Sequence, residues 1–173
     1  MSDFNLKDLP DDSTLLKYEE QFESADLTSI ELCLQLLTTA KKVTESYNHF
    51  FFKHGLSLSK FNLLMLLYRD PDKDISPSEL ATKAGISRGT VTGLLDSLEK
   101  SDYIKRIYNS DDRRKVTISL TNKGTNDLVN LLPTHYQKTT NLFSNVKKKD
   151  KNNLKTMLNE IYDNTSIFYE EEN

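Results

Sequence analysis

At 173 residues, 36 % hydrophobic and 28 % charged, the chain has the length of one domain with attached helices and can bury a real core. Its one cysteine excludes an internal disulfide, and no apolar run or signal-like start points to a membrane, so a cytoplasmic protein with no membrane partner is expected. The net charge of −3 is uneven: residues 1–26 carry −6, residues 27–55 +1, residues 56–122 +2, and residues 123–173 balance.

Residues 1–26 read as an acidic arm with one short helix near 13–23. Thr28-Ser-Ile-Glu31 then has the form of a capping box and opens a helix that no proline interrupts before Gly55. That is roughly 26 residues, about 40 Å. Its apolar positions (Ile30, Leu34, Leu37, Val43, Tyr47, Phe50, Phe51) sweep around more than one face, as expected of a helix with a partner chain. Phe61–Tyr68 predicts a core helix. Ser76-Pro77-Ser78-Glu79 predicts a capped short helix closed by Gly85. Ser87 caps the next, with its stripe at Val91, Leu94, Leu95 and Leu98. Tyr103–Tyr108 and Lys115–Leu120 read as strands, the second alternating Val116, Ile118 and Leu120 with polar residues. Helices over about 122–146, with a kink at Pro133, and 150–170 complete the chain.

Leu80–Leu95 carries the most specific pattern. Ala81, Gly85 and Val91 stand where a helix-turn-helix needs a small residue, a left-handed turn and an apolar contact. Away from the stripe of the second helix lie Arg88, Gly89, Thr92, Gly93 and Asp96. Two glycines cost a helix roughly 1 kcal/mol each against alanine, and four apart they leave a strip that another surface can approach closely. Ser87, Arg88, Gly89, Thr90 and Thr92 occupy the amino end, where the helix dipole favours phosphate. Arg88 is the candidate for a guanine edge in a major groove, and the threonines for other edges or phosphates. Asp96 and Glu99 follow where phosphate would be repelled. The loop Asn109–Arg114 brings Arg113 and Arg114 to the hairpin tip, with the candidate Lys115 beside them at the start of the second strand; an arginine there can enter a minor groove and Asp111 or Asp112 can brace it. A solvated Asp–Arg cluster is the bland alternative.

With "SELATKAGISRGTVTGLLDSLEKSDYIKR" and "DDRRKVTISLTNKG" in place, residues from about 27 to 170 resemble the MarR family of winged-helix transcriptional regulators. The resemblance implies a mainly α fold with a small β-hairpin wing. A winged helix-turn-helix DNA-binding domain would span 56–121, with a helical dimerisation region over 27–55 and 122–170. It also implies a homodimeric regulator (a repressor) on a pseudo-palindromic double-stranded DNA operator, Arg114 reaching the minor groove and Asp112 orienting it. The arm 1–26 lies outside the pattern.

Family resemblance further suggests a small aromatic effector, with Tyr47, Phe51, Met65 and Tyr68 as candidate pocket residues; packed core is the alternative for each. Cys33, about one turn into its helix, sits in "ELCLQLL", which resembles the branch that senses organic hydroperoxides through a lone cysteine. Tyr47 matches one sulfur-bonding tyrosine of that branch, but Leu37 stands where the other would be. Tyr47 lies roughly 21 Å along the same helix, so only a partner chain's Tyr47 could reach the thiol. His49 and His54, five apart, and the remote His135 make no metal cluster, and no phosphate loop, nucleophile elbow or acid pair marks an enzyme. No cofactor is expected. The reading from another class is a winged-helix module that binds protein.

Overall fold

A computed structural model of the chain describes residues 26–69, 75–110, 112 and 115–169, with Thr14, Lys17, Gln21 and Phe22 of the preceding arm. It is mainly helical with a two-stranded antiparallel hairpin. Two compact units meet in sequence between Thr121 and Asn122.

Helix α1, Leu27–Phe52, is capped by Asp26 rather than by Thr28. The Asp26 carboxylate accepts the Ser29 N–H at 3.3 Å and the Ser29 hydroxyl at 2.5 Å. These bonds, the hydroxyl first, hold the carboxyl below its ordinary range. Asp26 therefore satisfies an amide that the expected Thr28 box would have left open, and the helix starts before it. At the other end Leu56 N–H returns to the Phe51 carbonyl around Gly55, whose φ is +72°. Helix α2, Leu58–Arg69, begins where the Asn48 side chain of α1 accepts the Leu58 N–H at 3.0 Å. Phe51 stacks on Phe61 with centroids 4.3 Å apart, which fixes α1 onto α2.

Helix α3, Pro77–Ala84, starts at Ser76, which accepts the Glu79 N–H, and stops at Gly85 with φ +64°. Helix α4, Arg88–Lys100, follows from the cap Ser87. The wing pairs β1, Ile104–Tyr108, with β2, Val116–Leu120, in the register Ile104↔Leu120 to Tyr108↔Val116. Ile75 adds a single bridge to Ile118 on the far side of β2. Leu63, Leu64, Ile75, Leu80, Val91, Leu95, Leu98, Ile104 and Ile118 form the core of this unit. The apolar stripe of α4 and the alternation of β2 meet there.

In the second unit α5, Asn122–Leu142, runs unbroken through Pro133 and buries Leu128, Leu131 and Leu132. It ends four residues before the expected 146. Helix α6, Lys148–Asp163, continues into a 3₁₀ segment, Asn164–Tyr169. No residue of α6 is buried, although Leu154, Met157, Leu158 and Ile161 recur at the spacing of one apolar face. Among the described residues no helix is long and apolar enough to cross a membrane.

Candidate nucleic-acid interface

The amino half of α4 is open. Ser87, Arg88, Gly89, Thr90, Thr92 and Gly93 are all exposed, while Val91 and Leu95 on the opposite face are fully buried. Ser87 accepts the Thr90 N–H at 3.1 Å, and the two hydroxyls lie 2.8 Å apart. The Thr92 hydroxyl donates to the Arg88 carbonyl at 2.9 Å. Thr92 therefore offers outward a methyl group and acceptor lone pairs, not a free proton. A Cβ built on Gly93 would meet nothing within 4 Å, and one on Gly89 only the Ser87 hydroxyl at 3.9 Å. The fold itself requires neither glycine. Gly85 differs, because its left-handed backbone is what turns α3 into α4.

In the wing, the Asn109 side chain accepts the Asp112 N–H at 3.0 Å, and Lys115 N–H donates to the Asp112 carbonyl at 2.9 Å. Asn109 N–H closes the loop on the Lys115 carbonyl. Asp112 is half-buried in this turn and Lys115 is exposed. Arg113 and Arg114 lie outside the described residues, as does Asp111.

Arg106 is a residue that sequence reasoning passed over. Its guanidinium reaches Asp96 at 2.6 Å and also binds Glu99, while its backbone N–H donates to Glu99 at 3.3 Å. The Asp96 hydrogen bond raises its pKa despite partial burial, and the charge of Glu99 adds to this. The two acids that the sequence places against phosphate are thus already paired with a cation from the wing. The signal was present: Arg106 shares a strand face with the buried Ile104, and an arginine there needs a carboxylate.

The residues 56–116 match the MarR family profile. The HTH-type transcriptional repressor YetL of Bacillus subtilis is 34 % identical over 163 residues, 94 % of this chain and 98 % of its own length. The chain belongs to the MarR family. The transcriptional repressor MprA of Escherichia coli is 30 % identical over 135 residues, covering 78 % of this chain and 75 % of that one. Among solved structures, a complex of Staphylococcus aureus MepR with DNA superposes with a TM-score of 0.66 at 16 % identity, over 75 % of this chain and 92 % of that chain. Reduced MarR from E. coli gives 0.63 at 21 %, over 75 % and 95 %. Such identities speak for the fold alone. As a MarR-family member the chain is a helix-turn-helix transcriptional regulator; the family and its named relatives are regulators, not enzymes.

The remaining expected positions of this MarR-family chain do not gather in one cavity. Phe51 is 0 % exposed beneath Phe61, so it is core rather than the wall of an open pocket, and Tyr47 stacks against it at 6.1 Å. Met65 lines a cleft of about 420 Å³ with Asn62, Leu66, Arg69, Lys83 and Ala84. Tyr68 is exposed. Cys33 is exposed on α1, and no group of three or more possible metal ligands occurs among the described residues.

Proposed function

We propose that this MarR-family regulator is a homodimeric repressor reading a pseudo-palindromic duplex. Helix α4 enters the major groove through Ser87, Arg88, Gly89, Thr90 and Thr92. The wing reaches the flanking minor groove with Arg113, Arg114 and Lys115, Asp112 orienting Arg114. Residues 56–121 bind DNA, and 27–55 with 122–170 form the dimer. The cytoplasm is the compartment such a regulator works in.

The observation that carries this reading is the open amino half of α4. Arg88 stands there beside two glycines that packing does not need. A helix gives up stability at two positions only where something gains from the closeness. The DNA complex of the MepR neighbour supports the same use of the fold. For dimerisation, the support is exposed apolar surface on α1 (Ile30, Leu32, Leu37) and along α6 (Leu154, Met157, Leu158, Ile161). A small aromatic effector would bind near Met65, whose cleft joins apolar walls to the cations Arg69 and Lys83. Tyr68, exposed three residues along α2 from Met65, would flank such a ligand.

The test is duplex binding against salt, with a sequence selected from a randomised pool by the wild-type protein. Affinity should fall steeply with ionic strength. Arg114→Ala should weaken binding to all sequences alike, whereas Arg88→Ala should also relax base preference, each by about 1–3 kcal/mol. Equal affinity for single strands, or indifference to salt, would turn the reading towards a protein-binding winged helix. The exposed Cys33 thiol favours one further reading, release by organic peroxide. If wild type and Cys33→Ser release DNA alike under mild peroxide, the thiol takes no part.

A further inference from the structure

We propose that Arg106 is a positioning residue for DNA binding: by holding Asp96 and Glu99 of α4 from strand β1, it fixes the angle between the recognition helix and the wing. This rests on the two-groove reading above.

The wing is locked to the core at its base by Ile104 on β1 and, at the level of Arg106, by Ile118 on β2, which pairs with Arg106 in the ladder and is bridged on its other side by Ile75. Backbone bonds at the α4–β1 junction, Tyr103 N–H to the Leu98 carbonyl and Asp102 N–H to the Glu99 carbonyl, hold the same end. Further out the strand has little to lean on: Ile107 and Tyr108 are exposed. Arg106 lies between, its side chain only 18 % exposed, with one nitrogen on each of two carboxylates and its own amide on Glu99. Those acids stand one helical turn apart on α4, so a forked cation gripping both resists rotation as well as separation. From Arg106 to Tyr108 the strand runs about 7 Å beyond the last core-anchored pair, so a swing of about 15° there moves its far end about 2 Å, enough to break a hydrogen bond. Arg106 need not touch DNA to act in this way. Both terminal nitrogens of its guanidinium are engaged with α4, and what it determines is whether helix and wing fit adjacent grooves together.

Chemical footprinting separates this role from a merely stabilising one. The probe is the duplex selected by wild type, with guanine N7 protection reporting the major groove and hydroxyl-radical protection the flanking minor groove. Each protein is measured well below its melting midpoint. Wild type should protect both. Arg106→Met should keep N7 protection at saturating protein but lose the minor-groove flanks. Its affinity should drop about tenfold and its salt slope should flatten by about one for each protomer. Arg106→Lys keeps the charge without the fork and should recover part of the flanking protection. It also serves as the readable variant if the methionine substitution does not fold. Loss of both protections in proportion, or of neither, overturns the positioning role while leaving the DNA-binding reading intact. A wild-type protein that protects neither groove of any duplex overturns both.

Discussion

Single residues on α4 divide between those the fold needs and those it merely tolerates. Gly93 is of the second kind, since a methyl group added there meets no neighbour within 4 Å. Gly93→Ala should therefore raise stability by about 0.5–1 kcal/mol, read from a denaturant midpoint. The same variant should bind duplex more weakly, because the added methyl group stands where the groove would close in. If affinity rises with stability, the glycine strip does not face DNA. Asp26 yields a pH prediction. Its carboxyl is held below the ordinary range by Ser29, so the unfolded chain takes up a proton first as pH falls. The cap's contribution is fully present above the ordinary carboxylate range and is lost as pH falls from there through the lowered value of Asp26. Asp26→Asn keeps a capping side chain but no titrating group. Comparing its melting midpoint with that of wild type at pH 7 and pH 3 should show a gap that shrinks in acid.

At the scale of elements, α1 is held to the winged helix by its last turn, and Phe51 is the anchor. Removing that ring from a site with 0 % exposure, stacked on Phe61, should cost about 3–5 kcal/mol. The neighbouring Phe52 is 79 % exposed. Phe52→Ala should stay within about 0.5 kcal/mol of wild type, so the pair measured together by chemical denaturation checks which face is core. The elements built from local signals were legible before any coordinates. Ser76 with Glu79, Gly85, the cap at Ser87 and the alternation of β2 each act within a few residues, where spacing alone fixes the outcome. The start of α1 was misplaced because "SADLTSIE" holds several side chains able to cap, and only geometry shows Asp26 reaching Ser29. Arg106 escaped notice for a different reason. Strand alternation marks it as an inward-facing arginine in want of a carboxylate, but its partners lie seven and ten residues away on another element, and ion pairing across elements leaves no periodicity by which to name them. The acids at 96 and 99 consequently looked like repulsion when they are half of a brace.

At the scale of the whole molecule, the apolar face of α6 lies exposed in the single chain. Leu154, Met157, Leu158 and Ile161 run along a helix with no buried residue, and the proposed homodimer would cover them with a second chain. Ile161 is 49 % exposed within one chain, so Ile161→Asp should leave each chain's fold within about 0.5 kcal/mol. Buried between two chains, the same carboxylate would be uncompensated and should split them. Sedimentation should then report one chain in place of two, with circular dichroism unchanged. DNA binding should fall further than any single contact explains. Two recognition helices on one duplex make the second engagement intramolecular, an advantage on the order of a hundredfold or more that a monomer forfeits. Half-site spacing supplies the complementary test on the DNA: five base pairs inserted between half-sites rotate one of them to the far side of the duplex, and a rigid dimer cannot follow. The insertion should abolish tight binding by wild type and leave Ile161→Asp unaffected. Sensitivity in both proteins, or in neither, would mean that the grip on DNA does not depend on the pairing of chains through α6.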